Sequence, residues 1–161
     1  MIQQYGSSTV VRSQVSLDLC GAPFPSEQLR TGRLQVGAYV QDAQAISVEG
    51  ILYRDDAAAK EALAELEHAQ ATRPRGFTPS GVAGQPPVKT RFHRVPARFA
   101  PQPGGHRVTQ ALTQSTNAGD ATDLISVFQR RGPIVVALYG VADVTNSYVA
   151  RDVGGLAALR I

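Results

Sequence analysis

The sequence contains one cysteine, no tryptophan and no apolar run near the length of about 20 residues that spans a bilayer. A single cysteine cannot form a disulfide within the chain, which favours a reducing compartment, although many exported proteins also lack disulfides. Residues 1–6 show neither the basic nor the apolar part of a signal peptide, so none is expected there. These absences argue against a disulfide scaffold and a membrane-spanning helix.

Acidic residues are missing from one long window of the chain. None occurs in the 51 residues from His68 to Ala118, although the chain has 13 of them. The window carries a charge of +7 and the remainder −4, which together give the net charge of +3. Segregation of this kind predicts one electropositive face.

Hydrophobic periodicity predicts an α+β fold with a mostly antiparallel, twisted sheet of five to seven strands. The predicted strands are 9–19, 33–40, 45–54, 88–95, 106–117, 122–131 and 134–140. Short polar links, such as residues 41–44, join several neighbours and favour antiparallel pairing. The length of 161 residues suits a single domain over 1–161.

Two main helices are predicted to pack on this sheet. Apolar residues recur at helical spacing over 56–71, with Asp55 or Asp56 as the N-cap and Pro74 as the stop. A second helix is expected over 147–160, where Val149, Val153 and Leu156 line one side. Residues 72–105 form an irregular, basic crossing, because seven of the ten prolines lie in 74–103.

Four stretches, taken together, resemble a known group of domains. They read LDLCGAPFPSEQLRTGRLQV, YRDDAAAKEALAEL, ATRP and VFQRRGPIVVALYG. Their order and spacing over residues 17–161 are similar to those of small extracytoplasmic lipoprotein or sensor-like domains of actinobacteria. These domains are distantly similar to the extracellular sensor domains of mycobacterial serine/threonine kinases. The resemblance implies a sheet flanked by two helices, a place in the cell envelope or outside the cell, and no catalysis.

The resemblance also bears on Cys20. In such domains the cysteine of LDLCG pairs with a second cysteine just before a proline, and here that place reads Thr72-Arg73-Pro74. Two interpretations stay open: a reactive nucleophile, or a buried thiol that acts as a small hydrophobic residue. We expect Cys20 to be unbridged, mostly buried and close to Arg73.

Other patterns of catalysis or metal binding are missing. The three histidines, His68, His93 and His106, are too few and too scattered for a zinc signature. The sequence contains no Gly-x-Ser-x-Gly motif, no phosphate loop and no coherent Ser/His/Asp arrangement. We therefore expect no catalytic residue, no metal and no cofactor.

The predicted strand VKTRFHRV, 88–95, carries the clearest chemical signal. Alternation places its basic side chains on one face, opposite Val88, Thr90 and Phe92. The predicted ligand-binding residues are the cations of this strand and its surroundings: Lys89, Arg91, His93, Arg94, Arg98 and Arg107. They suit an anionic small molecule, a lipid head group or an acidic protein. Nucleic acid fits less well, because no nucleic-acid-binding motif is recognisable.

The sequence thus predicts a non-enzymatic, extracytoplasmic ligand-binding or sensor-like domain for an anionic ligand. One alternative is a thiol-dependent, hydrolase-type enzyme centred on Cys20. Another is a cytoplasmic interaction module whose basic window docks an acidic protein partner. The basic strand face also has a simpler interpretation, in which its charge only aids solubility. The oligomeric state stays open.

Overall fold

The computed structural model describes residues 2–6, 15–17, 19, 22, 24–40, 43–73, 88–95, 106–115 and 121–141. Seven strands in these ranges form one sheet: β1 (Ile2–Gly6), β2 (Arg30–Val40), β3 (Ala43–Tyr53), β4 (Lys89–His93), β5 (Arg107–Ser115), β6 (Ala121–Arg131) and β7 (Ile134–Val141). Their spatial order is β1-β2-β3-β7-β6-β5-β4, and every neighbouring pair is antiparallel. The predicted α+β class with a mostly antiparallel sheet is confirmed.

Two tight hairpins organise the centre of the sheet. β2 and β3 pair as far as Val40 and Ala43, so the turn is two residues shorter than the predicted link 41–44. β6 and β7 turn at Gly132-Pro133, where Gly132 has φ of 56°. Glycine adopts this left-handed conformation readily because it lacks a β-carbon. β7 then pairs with β3 on its other side and joins the two hairpins.

One helix, α1 (Asp56–Thr72), packs on the sheet and confirms the helix predicted over 56–71. Asp55 caps it, since its carboxylate accepts the backbone N–H of Ala58 at 2.8 Å. Leu63, Leu66 and four alanines turn inward from α1 into the core. Small side chains at these positions let the helix axis lie close to the strands.

The N-terminal approach to this core differs from the prediction of a strand over 9–19. Residues 15–17 and 19 are not in a strand, and the others in that range lie outside the described residues. The Glu27 carboxylate, in a short 3-10 helix (Pro25–Leu29), accepts the backbone N–H of Ser16 at 3.1 Å and of Leu17 at 3.2 Å. These donors are therefore not available to a neighbouring strand. Leu17 and Leu19 are still buried in the core, whereas Val15 is exposed.

The sheet face opposite α1 also carries apolar side chains. Ile125, Val127 and Leu138 form a buried cluster there, and Val95 packs against it. The chain therefore turns onto this face directly after β4. Further along the same face, an apolar patch stays exposed at Leu34, Leu52, Ile134 and Val136.

Several predictions fall outside the described residues: Cys20, Arg98 and the second helix over 147–160. Ala22 lies two residues after Cys20 and lines a cavity of about 400 Å³ together with Arg73. In the part of the chain that the structure describes, no helix is long and apolar enough to cross a membrane.

Candidate functional site

β4 is an edge strand of the sheet, and its basic side chains lie on one face. Lys89, Arg91 and His93 are exposed, whereas Thr90 is buried and Phe92 packs against the core beneath α1. These three basic side chains, called the basic row below, therefore project on the face opposite α1. This is the placement that the period-two alternation predicts.

Two hydroxyl groups of β5 face the basic row. Lys89 pairs with Ser115, and Arg91 pairs with Thr113. The basic row, these two residues and Ala121 line a cavity of about 250 Å³, called the smaller cavity. Two permanent cations and the hydroxyl of Ser115, which can donate, suit a compact anion with several acceptor oxygens.

A short hydrogen-bond chain orients His93 at this cavity. The Thr113 hydroxyl donates to Asp123 Oδ1 at 2.5 Å, and Thr113 Oγ1 lies 2.5 Å from His93 Nε2. The single hydroxyl proton is given to Asp123, so we assign the proton of this second contact to His93 Nε2. This chain of hydrogen bonds fixes the orientation of the His93 ring at the cavity.

Asp123 lowers the positive electrostatic potential of the site. Its exposed carboxylate lies on β6, two strands from the basic row, and carries the negative charge nearest to Thr113. Strands in a sheet are about 4.8 Å apart, so the backbone of Asp123 lies about 10 Å from that of Arg91. The carboxylate of Asp123 is nearer to His93, which it reaches through the Thr113 hydroxyl. Screening acts over about 8 Å at physiological ionic strength, so Asp123 weakens the positive potential without cancelling it.

The other predicted cations lie apart from the basic row. Arg94 is exposed just after β4. Arg107 is only 7% exposed, and its guanidinium donates to Gln129 Oε1 at 2.8 Å. It lies four residues along β5 from Ala111, the partner of His93, or about 13 Å at 3.3 Å per residue. The structure therefore does not bring Arg107 to the margin where it was expected.

A larger cavity of about 600 Å³ opens at the end of β4 and was missed in the sequence. Phe92, Val95 and Val108 contribute apolar surface, the last turn of α1 forms one wall, and His93 lines both cavities. The larger cavity forms only where residues 67–71 of α1 lie next to residues within 92–109, which are distant in the sequence. No local sequence pattern signals such a contact.

A buried ion pair, Arg33 with Glu49, lies on the α1 side of the sheet. Burial raises the pKa of Glu49 and outweighs the hydrogen bond and the charge of Arg33. The Tyr139 hydroxyl lies 3.5 Å from Glu49 Oε2, and burial followed by the charge of Glu49 raises the pKa of Tyr139. Raised pKa values often mark active sites. Glu49 is only 2% exposed, however, so we interpret the pair as structural.

The sequence holds a signal for this pair. Arg33 and Glu49 occupy inward positions of two strands whose other inward residues include Ile51 and Tyr53, and a charged residue at such a position indicates a buried partner.

Comparisons with known proteins do not assign the chain to a family. No protein-family model matches the chain, and no curated protein matches it. Among the described residues, no group of three or more histidine, cysteine or acidic side chains is placed to hold a metal ion.

Proposed function

We propose that the protein is a non-enzymatic, sensor-like ligand-binding domain of the cell envelope, and that it binds an anion at the basic row. The observation that carries the proposal is the smaller cavity, in which Lys89, Arg91 and His93 face the hydroxyls of Thr113 and Ser115. The four stretches that resemble actinobacterial sensor-like domains support the extracytoplasmic setting. The second helix over 147–160 belongs to the same proposal and comes from the sequence pattern.

An edge strand also benefits from charged side chains that prevent pairing with other molecules, and this is the simpler explanation of the basic row. Two features favour a ligand over edge protection alone. The hydroxyl of Ser115 on β5 adds a donor beside the cations, and the chain from Asp123 through Thr113 holds His93 in one orientation. Edge protection requires neither.

Titration with inorganic phosphate tests the proposal. Arg91→Glu replaces an attraction with a repulsion at contact distance, so we expect the affinity to fall by about tenfold or more. Arg131→Glu is the matched control, because Arg131 is exposed on the same sheet face at the far end of β6. Raising the salt concentration should weaken binding to the wild type. Equal losses in the two variants would contradict a localised site.

A further inference from the structure

We propose that the ligand of the basic row is an anionic amphiphile, with its charged group on the row and an apolar chain in the larger cavity. This inference rests on the proposed function and specifies the chemical class of the ligand. The observation behind it is that His93 lines both the smaller and the larger cavity, so the two cavities lie side by side.

The path between the two cavities is short. Residues two apart on a strand are about 7 Å apart, so one strand repeat separates Arg91 from His93. Beyond His93, β4 ends and the larger cavity begins. Phe92, Val108 and α1 line the larger cavity from the other face of the sheet. A ligand whose anion contacts Lys89 and Arg91 therefore reaches this cavity by passing His93 and turning around the end of edge strand β4.

The lining of the larger cavity suits an apolar chain. Phe92, Val95, Val108 and Ala71 supply apolar surface from β4, the chain after it, β5 and α1. Glu67 borders the cavity from the helix side and repels an anion there, while His93 and Arg94 lie at the strand side. The charged group is thus directed to the basic row. The volume of about 600 Å³ is within the range of about 300–1,000 Å³ typical of small-ligand pockets.

Thr109 provides a second, independent indication of a ligand. Thr109 lines the larger cavity and is 2% exposed, and among the described residues its hydroxyl has no hydrogen-bond partner. A buried hydroxyl without a partner is unfavourable, because it has lost its bonds to water. An oxygen that links the charged group to the apolar chain would accept this hydrogen bond.

Three probes below their micelle-forming concentrations separate the parts of the ligand: inorganic phosphate, octyl phosphate and octyl glucoside. Each buried methylene strengthens binding by about fourfold, so octyl phosphate should bind the full chain at least about tenfold more tightly than inorganic phosphate. It should also shift the amide resonances of Val95 and Val108, which inorganic phosphate leaves unchanged. Octyl glucoside, which has the chain without the charge, should bind more weakly than octyl phosphate.

Ala71→Trp tests the position of the chain, because it places a bulky ring at the wall of the larger cavity. Ala71 is exposed on α1, so the fold should tolerate the change, and Ala57→Trp is the matched control in the first turn of the same helix. We expect Ala71→Trp to abolish the advantage of octyl phosphate and to leave the binding of inorganic phosphate intact. Ala57→Trp should change neither.

The contradicting outcomes are distinguishable. Equal affinities for octyl phosphate and inorganic phosphate would overturn the amphiphile and leave the anion site standing. Octyl glucoside binding as tightly as octyl phosphate would also overturn it, since the charge would then play no part. Failure of both phosphates to bind would overturn the proposed function and this inference together.

Discussion

At the scale of single residues, the buried pair of Arg33 and Glu49 shows how a charge is tolerated beneath α1. Both side chains are almost fully buried, and their ion pair compensates each of them for the hydrogen bonds to water that it loses on burial. Arg33 also donates to Gln35 Oε1 at 3.3 Å, and Gln35 donates to Ser47 Oγ at 3.1 Å. This network leaves few unpaired polar atoms around the pair, so removal of one partner should be far more harmful than removal of both.

Arg33→Met should lower the free energy of unfolding by about 3–5 kcal/mol, because it leaves the Glu49 carboxylate buried without its positively charged partner. The double variant Arg33→Met/Glu49→Leu should recover most of this loss, since no charge then remains in the core. Urea denaturation of the two variants measures both values. A double variant as unstable as the single one would contradict the account.

Asp55 makes a stability contribution that depends on pH. The backbone N–H of Ala58 and then the side chain of Arg54 lower the pKa of Asp55 below its ordinary value of 3.8. A carboxyl with a lowered pKa in the folded state stabilises the protein fully above the unfolded pKa, and the contribution disappears as the pH falls through the folded pKa.

The comparison with Asp55→Asn isolates this effect, because asparagine still caps the helix but does not titrate. The stability difference between wild type and Asp55→Asn should be constant near neutral pH and should shift against the wild type below about pH 3.8. Denaturant unfolding across this range measures it. A shift in favour of the wild type in acid would reverse the predicted sign.

Asp123 should weaken anion binding at the basic row. Asp123→Asn keeps an acceptor for the Thr113 hydroxyl and removes one negative charge that lies two strands, or about 10 Å, from Arg91. At this distance in water the Coulomb energy corresponds to a gain in phosphate affinity of about twofold. Glu61→Gln, which removes an exposed charge from α1, should have no such effect. A weaker affinity for Asp123→Asn would show that the carboxylate assists binding.

At the scale of elements, the packing of α1 depends on small residues. Ala59 and Ala62 are completely buried against the sheet. Ala62→Leu should therefore lower the free energy of unfolding by about 1–3 kcal/mol, because the extra atoms must displace the helix. Ala64 is exposed on the same helix, so Ala64→Leu should change the free energy of unfolding by about 0.5 kcal/mol or less. Thermal unfolding compares them, and equal effects would contradict close helix–sheet packing.

Strands and α1 were predictable where a local period reports burial. The alternation in KTRFH, residues 89–93, correctly separates the basic row from Thr90 and Phe92, because side chains of a strand point to opposite faces. The same period was wrong for residues 15–17 and 19. There, Leu17 and Leu19 are buried but Val15 is exposed, and Glu27 accepts hydrogen bonds from backbone N–H groups that a strand would use.

The partners of the basic row could not be predicted in the same way. Thr113 and Ser115 lie opposite the basic row because of the register in which β5 pairs with β4. Asp123 lies next to Thr113 because of the register in which β6 pairs with β5. Register is a property of paired strands and leaves no trace in either strand alone when a long link separates them. The position of Arg107 was also not predictable. Its charge suggested an exposed side chain, but the side chain is buried and donates to Gln129 of the neighbouring strand.

At the scale of the whole molecule, the net charges of α1 and of β4 are opposite in sign. α1 carries exposed Glu61 and Glu67, whereas the opposite side of edge strand β4 carries the basic row. An anion approaching the protein is therefore attracted to one edge and face and repelled from the helix. Of the window without acidic residues, residues 88–95 lie at this edge.

The most direct test of the central claim is a map of amide chemical shifts during titration with inorganic phosphate at low salt. The account predicts saturable shifts confined to residues 89–93 of β4 and 113–115 of β5, with their loss in Arg91→Glu and their retention in Arg131→Glu. Saturable shifts centred on another surface, or weak shifts spread over all exposed lysines and arginines, would contradict an anion site at the basic row.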